Sequence, residues 1–470
     1  MATSFKFLVQ QTGDNHYVLP AKEGMKVDVH AFLSEELFRT SEENMWNQVA
    51  DAARYEGVTA VYLLPDCHVG FGVPVGSVVV TEGTLLQASV GYDISCGILA
   101  ARVIGLNASG VRSRRNRERW VTEVEKRVAL GVGSHRPKLM PEFRQSALDD
   151  ILRYGAKALG VKADVCERQF LPVSDNAKLD LVPKAYGKAL PQLGSLGGGN
   201  HYCELQVDRD DGSVWVMVHC GSRGYGYQTA EHYFYEGARM RDMRTNQRGL
   251  SWLRDDEPAG RDYWDHHNAA ANYAIANRHV IARGLQEAFQ EVYNADVEVF
   301  YEISHNLVQR ETLVLPDGTT KQGYVHRKGA TRAMPAGHPN LVGTKWAETG
   351  HPCLTPGSMF TGAAILMPQA GAHQSACSVN HGSGRVMARG VAKKKLEHKQ
   401  QYIDAEMHDV SRQFDGVTVE GIVTNTKHVP LDESNGVYKD LDAVLRVLVD
   451  NGIATVSRRL FPVCNLKGVD

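Results

Sequence analysis

The chain has 470 residues, 43% of them hydrophobic, and its 52 Lys and Arg nearly balance 54 Asp and Glu. At about 150 residues per domain, that length allows several units or one large one. The charge balance excludes a uniformly basic architectural nucleic-acid binder, although a local basic groove depends on clustering rather than totals. The amino terminus shows no signal-peptide pattern, and no run approaches the ~20 apolar residues of a membrane span. Eight cysteines are scattered along the whole length, which is no disulfide framework, so the expectation is a cytoplasmic protein with reduced thiols and no membrane partner.

In chain order, residues 58–64, 76–80 and 97–104 read as buried strands. Residues 112–126 read as a charged, solvent-facing helix, and 130–180 as polar and helical in part. A strand is expected over 213–219, then a helical stretch over 228–293 with a polar loop at 244–261 and an uninterrupted helix over 264–293. Residues 298–303 form another strand leading into a polar turn. Near the end, Leu441, Val444, Leu445 and Leu448 recur at helical spacing over 440–449, with Gly452 as a stop. There is no internal repeat and no Pro/Ser-rich linker, so one α+β domain is expected over 1–470.

Glycine is over-used. The chain has 45, against about 33 at average usage, which implies many loops with special backbone angles or close approach to a ligand. Ligand-type residues sit in these loops: Pro65-Asp66-Cys67-His68-Val69-Gly70, Gly91-Tyr92-Asp93-Ile94-Ser95-Cys96-Gly97, and Gly197-Gly198-Gly199-Asn200-His201. His219-Cys220-Gly221-Ser222-Arg223-Gly224, Ser304-His305-Asn306 and His381-Gly382-Ser383-Gly384-Arg385 follow. A buried free cysteine is ordinary. Yet Asp93 and Cys96, three apart after a strand, can face one cation, and His201, His219 and His305 end apolar segments or occupy Gly-rich turns. Five such ligands exceed the needs of one tetrahedral ion. Two ions bridged by the Cys96 thiolate would use them all, and mixed O, N and S donors leave Zn²⁺ and Mn²⁺ both open. Close cation pairs recur in phosphoryl chemistry.

Two Gly-rich loops, at Gly221–Gly224 and Gly382–Arg385, place backbone amides beside a guanidinium, which suits phosphate. The run from His326 to Arg332 adds Arg327, Lys328 and Arg332. Arg385 and Arg389, four apart beside the glycines, read as phosphate contacts, whereas Lys393–Lys395 reads equally well as a solvated face. His381 is distinct, since its Gly-Ser-Gly-Arg tail permits close approach to the ring. As a residue it fits a metal ligand, a general base or a nucleophile.

These loops together resemble the RtcB-type RNA-splicing ligases over nearly the whole chain. PDCHVGFGVPVG, VGYDISCG, GGGNHYCE, VHCGSRGYG, SHN, VHRKGATRA, GSM, HGSGRVMAR, YKD and the final KG occur in that family's order. The resemblance implies stacked mixed β-sheets flanked by helices. It implies joining of RNA 3′-phosphate or 2′,3′-cyclic phosphate ends to 5′-hydroxyl ends, with GTP and two Mn²⁺ ions, and an archease-type activator as a partner class. By matching positions, Asp93, Cys96, His201, His219 and His305 are metal ligands and His381 is the guanylylated nucleophile. Asn200, Glu204, Tyr438 and Lys467 match GMP-binding positions. Arg223, Lys328, Arg385 and Arg389 match phosphate or RNA-backbone positions, and Asp66 matches an acidic site residue. Departures are Ser95 for Asn, Ser383 for Ala, Phe360 for Gly after Gly-Ser-Met, and Cys67 between Asp66 and His68. Residues 107–185 carry no matched motif. The rival readings are a two-metal phosphoesterase or nuclease, and an inactive paralogue that binds RNA ends.

Overall fold

A computed structural model describes residues 4–135, 145–314 and 318–468. It is α+β, built on two large mixed sheets. The first runs in the order Gln10–Gly13, His16–Leu19, Val29–Phe32, Val58–His68, Val75–Thr81, Thr320–Lys328, Asn306–Val314, with one parallel pair between its third and fourth strands. The second runs Asp296–Ser304, Gly97–Asn107, Ser213–Cys220, Tyr202–Asp208, Ala454–Lys467, Ala363–Pro368, Cys353–Pro356, with Val423–Thr424 parallel beside the long strand Ala454–Lys467. Within both sheets, strands such as Ser213–Cys220 and Val75–Thr81 are buried almost throughout, hence their continuous apolar runs.

The expected strands are present and extend further, as Val58–His68, Val75–Thr81, Gly97–Asn107, Ser213–Cys220 and Asp296–Ser304. The last helix is Leu441–Asp450, where the Asp440 side chain accepts from the Ala443 amide and acts as an N-cap. The helix Arg114–Arg127 corrects the solvent-facing expectation. It buries Trp120, Val121 and Val124, and the guanidinium of Arg117 reaches inward to the carbonyls of Gly421 and Val463 at 2.6 and 2.9 Å. Six of its side chains are Arg or Lys, and that charge masks an apolar stripe. The expected loop 244–261 is a 3₁₀ turn, Thr245–Leu250, followed by the start of a helix at Pro258, where proline suits the first turn. Within 130–180, the described residues hold the helix Gln145–Tyr154 and two 3₁₀ turns, while 136–144 lie outside the described residues.

The helix Pro258–Tyr293 has 36 residues and is buried on every face through its middle. A helix so enclosed must satisfy its polar side chains internally, and it does so by bracing loops. Asn277 accepts from the Gly194 amide at 2.6 Å and donates to the Ser195 and Gly221 carbonyls. Arg278 donates to the carbonyls of Ser95 and Cys220 at 2.6 and 2.7 Å. All eight cysteines are buried and free. Among the described residues, no helix is long and apolar enough to cross a membrane.

Candidate metal and nucleotide site

The site forms where the two sheets meet. Strand Asp296–Ser304 belongs to the second sheet and Asn306–Val314 to the first, so His305 is the single residue between them. Asp93 and Cys96 lie in the turn before Gly97–Asn107, and His201 lies just before Tyr202–Asp208. His219 is near the end of Ser213–Cys220, which pairs with both of those strands. Adjacent antiparallel strands thus bring residues 96, 201 and 219 together, and the crossover between sheets brings 305.

The donors converge at short range. Cys96 Sγ lies 3.3 Å from His201 Nε2 and 3.2 Å from His219 Nε2. His219 Nε2 is 3.2 Å from His305 Nε2, and His201 Nε2 is 3.0 Å from Asp93 Oδ2. His219 donates its Nδ1–H to the Asn200 carbonyl at 3.1 Å, which turns the Nε2 lone pair toward the cluster. Burial, with the neighbouring imidazoles, pushes His219 well below the ordinary histidine range; burial and then His381 do the same for His305. Both are therefore neutral, as ligands must be. Burial and the Asp93 carboxylate push the Cys96 thiol up to about 12, a tendency a bound cation would reverse. Sulfur, nitrogen and carboxylate donors that face one another fit a divalent cation better than they fit each other.

The Gly221-Ser222 loop behaves differently from a phosphate loop. Its anion is internal: the Ser222 amide and hydroxyl donate to Asp93 Oδ1 at 3.0 and 3.2 Å, and a Cβ on Gly221 would lie 2.3 Å from that carboxylate. Arg223 is held by Ser195 Oγ and the Gly131 carbonyl and does not line the cavity. In the 326–332 stretch, Arg327 is buried against Glu311, and Arg332 is buried against Glu167. Only Lys328 of the three cations turns to the cavity. Its Nζ donates to the Phe71 and Val73 carbonyls, and burial lowers it to about 7.

His381 lies at the other side of the cluster, its ring 5.0 Å from that of His305. Its Nδ1–H donates to Asp66 Oδ2 at 2.6 Å, and Asp66 is fully buried. That bond fixes the tautomer and leaves Nε2 with a lone pair. Gly329, at φ +60°, presses against the ring; a Cβ there would sit 2.4 Å from Val75 and 3.0 Å from the imidazole. His381, Cys96, His219 and His305 line one cavity of about 300 Å³.

The same cavity is also lined by Asn200, Glu204, Arg385, Arg389, Tyr438 and Lys467. Sequence reasoning missed their organiser, Glu433. This buried carboxylate takes Lys467 Nζ at 2.9 Å, the Tyr438 hydroxyl at 2.6 Å and Arg385 at 3.2 Å. Burial alone would raise it, but Lys467 and Tyr438 hold it down at about 2. It sits in a polar stretch, Leu431-Asp432-Glu433-Ser434, with no sequence signal that separates it from a surface acid. Glu204 is 3% exposed and accepts from Gln206 and Asn465, and burial raises it to about 7. Phe360 turns away from the cavity into an apolar cluster with Met359, Met407 and Ile422, while Ser383 lines it with a hydroxyl that has no protein partner.

Fold and site together define a class: an α+β protein in which side chains of metal-ligand type, from the ends of second-sheet strands and the crossover between the sheets, border a cavity shared with Arg, Lys and buried carboxylates. Residues 48–468 match the family model described as tRNA-splicing ligase RtcB, and the chain belongs to the RtcB family. It is 31% identical to the tRNA-splicing ligase RtcB of Thermococcus kodakarensis, over 94% of this chain and 95% of that one. It is 32% identical to the protein of the same name from Archaeoglobus fulgidus, covering 98% and 99%. The RNA-splicing ligase RtcB of Mycobacterium tuberculosis is 32% identical, covering 90% and 100%.

Proposed function

We propose that this chain acts as a single-domain, cytoplasmic RNA ligase that joins RNA 3′-phosphate or 2′,3′-cyclic phosphate ends to 5′-hydroxyl ends, using GTP and Mn²⁺ through a covalent His381–GMP intermediate. The observation that carries the reading is His381, whose Nδ1 is held by buried Asp66 and whose ring borders the Cys96–His219–His305 cluster. Two Mn²⁺ ions, which Asp93, Cys96, His201, His219 and His305 would hold, would supply Lewis-acid stabilisation of charge on phosphoryl oxygens.

The chain's own residues do the rest. His381 Nε2 attacks the α-phosphorus of GTP; the N–P bond forms, pyrophosphate leaves, and Asp66 offsets the charge gained by the ring. Arg389 and Lys328 face the cavity and offset phosphoryl charge. Glu204 accepts from the guanine N1–H and 2-amino groups. Adenine lacks both donors and would leave the remaining acceptor positions of the buried carboxylate, beside the bonds from Gln206 and Asn465, unfilled, which favours guanine. Tyr438 and Lys467, fixed by Glu433, with Asn200 and Arg385, hold the nucleotide in this cavity. The guanylyl group passes from His381 to the RNA 3′-phosphate. The 5′-hydroxyl then attacks that phosphorus, and GMP departs. A cyclic phosphate is first opened by water to the 3′-phosphate. The relatives are named tRNA-splicing ligases, which supports tRNA splicing as the setting, and an archease-type protein is the expected activator.

The test is adduct formation. Incubation with Mn²⁺ and α-³²P-GTP is expected to label the wild-type chain through an acid-labile, base-stable phosphoramidate, and His381→Ala is expected to carry none. An unlabelled wild type, or label persisting on His381→Ala, overturns the assignment and favours a phosphoesterase or a binding-only paralogue.

A further inference from the structure

Beside the cavity lies an aromatic surface that the reaction above leaves unused. Tyr92, immediately before Asp93, lines the cavity. Its ring is stacked on that of Tyr227 at 5.0 Å between centroids and 19° between planes. Phe71 lies 5.3 Å from Tyr92, and fully buried Phe234 meets Phe71 and Tyr92 edge-on at 5.1 and 4.9 Å. This packing fixes the Tyr92 ring from below. Above it, Tyr227 and Tyr235 are 44% and 46% exposed. They are eight residues apart on the helix Arg223–Met240, two successive i,i+4 steps, and so share a face. The Arg248 guanidinium sits 5.3 Å from the Phe71 ring and 5.2 Å from the Tyr235 ring. No carboxylate among the described residues pairs with it, whereas its neighbours Arg239 and Arg241 are neutralised by Glu236 and Glu257.

We propose that Tyr227, seated on Tyr92, is a stacking platform for a nucleobase of the RNA end held in the cavity, with Tyr235 and Arg248 at its edge. Exposed tyrosine faces beside a guanidinium that no salt bridge engages are a means by which proteins hold single-stranded nucleic acid without reading its sequence. The platform is continuous with the cavity through Tyr92, so a strand whose terminal phosphate or hydroxyl reaches the Cys96–His305 cluster passes over it. Glu231 lies on the same helix face, between the two tyrosines. Its charge repels phosphates from the helix itself, which leaves base stacking, not backbone contact, as the attraction. Lys328 and Arg389 lie within the cavity and serve the phosphates there. The inference rests on the RNA-ligase reading and adds to it where the strand lies and which residue carries it.

The experiment uses the full chain with Mn²⁺ and two fluorescent single-stranded RNAs, one ending in a 3′-phosphate and one beginning with a 5′-hydroxyl, measured by anisotropy. Tyr227→Ala is expected to weaken binding of at least one of them by about tenfold, and the oligonucleotide affected identifies the strand. Tyr227→Phe is expected to restore it, because a phenyl ring stacks as well. An abasic nucleotide near the end of the affected RNA is expected to weaken binding to the wild type by a similar factor, and to cost nothing further on Tyr227→Ala. GTP labelling of His381 is expected to stay unchanged in Tyr227→Ala. Equal binding of abasic and intact RNA by the wild type overturns the platform without recourse to any variant. So does an equal loss in the Phe and Ala variants, or a loss of GTP labelling in Tyr227→Ala, which would assign the surface to guanine. If wild-type labelling fails while the Tyr227-dependent RNA binding persists, the ligase reading falls and the platform stands.

Discussion

Glu204 has two demands on it that conflict. As a buried side chain it favours the protonated form, and burial raises it from 4.5 to about 7 despite Gln206, Lys467 and Asn465, which each pull it down. In the guanine-binding role proposed for it, it would have to be ionised to accept two hydrogen bonds. The sign follows directly. Its folded-state pKa lies above the unfolded value, so ionisation opposes folding as pH rises from about 4.5 to 7. A guanine that donates to the carboxylate favours the ionised form and lowers the pKa in the complex. GTP affinity is therefore expected to fall about tenfold per pH unit below 7 and to level off above it. Glu204→Gln is expected to flatten that profile and narrow the gap between GTP and ATP. Calorimetric titrations between pH 6 and 8 read both effects, and a flat wild-type profile would place guanine recognition on another group. His381, Cys96 and the histidines of the cluster were legible in the sequence because each sits in or beside a Gly-rich turn or at the end of an apolar strand, and both are local signals. Glu433 was not, because its importance arises from three partners at sequence separations of 34, 5 and 48.

At the scale of elements, the site depends on the helix Pro258–Tyr293 and on Arg278 above all. Arg278 Nε donates to Glu302 Oε1 at 2.8 Å, and its Nη2 donates to the Ser304 hydroxyl at 3.0 Å, one residue before His305. Through the Ser95 carbonyl it also fixes the turn that delivers Cys96. Ser95 itself has φ +58° and shares a 2.7 Å hydrogen bond with Ser304, so the serine in this left-handed position is tied to the same strand. Both members of the Arg278–Glu302 pair are buried, at 0% and 1% side-chain exposure. Removal of one partner strands a charge, and the cost is about 3–5 kcal/mol. Arg278→Met is expected to lower the denaturation midpoint accordingly, and Arg278→Met with Glu302→Leu to regain only the part due to the stranded charge, since the Ser95 and Cys220 carbonyls still lack their donor. Thermal unfolding of the two variants checks this, and equal midpoints for wild type and Arg278→Met would show the pair to be dispensable. None of this was visible in the periodicity of residues 264–293, which announces a helix but not that every face is covered. The same holds for the strand Ala454–Lys467. Arg458, Arg459 and Pro462 interrupt its apolar pattern, and only the structure shows Arg458 reaching Asp208 and Arg459 reaching Asp442.

For the whole molecule, the order of motifs along the chain conveys less than where the two sheets bring them. The loops at 93–96, 201, 219 and 305 span more than two hundred residues, and they meet because three paired strands of one sheet end at the point where the chain crosses to the other. A cation held by these residues ties together segments that are far apart in the unfolded chain, so its binding energy is also folding energy. A ligand at one hundred times its dissociation constant stabilises the native state by about 2.7 kcal/mol per site. Chelator-treated protein is therefore expected to unfold at a lower temperature than untreated protein, and Mn²⁺ is expected to raise the midpoint again in a concentration-dependent manner. Metal analysis is expected to find two ions per chain. Because the Cys96 sulfur lies against both His201 and His219, Cys96→Ala is expected to lose both ions and to show a midpoint that no longer responds to Mn²⁺. Loss of one ion only would contradict the bridging thiolate. A wild-type midpoint indifferent to chelator and Mn²⁺ alike would mean that the converging imidazoles, thiol and carboxylate hold no metal, and the ligase reading would lose its chemical basis.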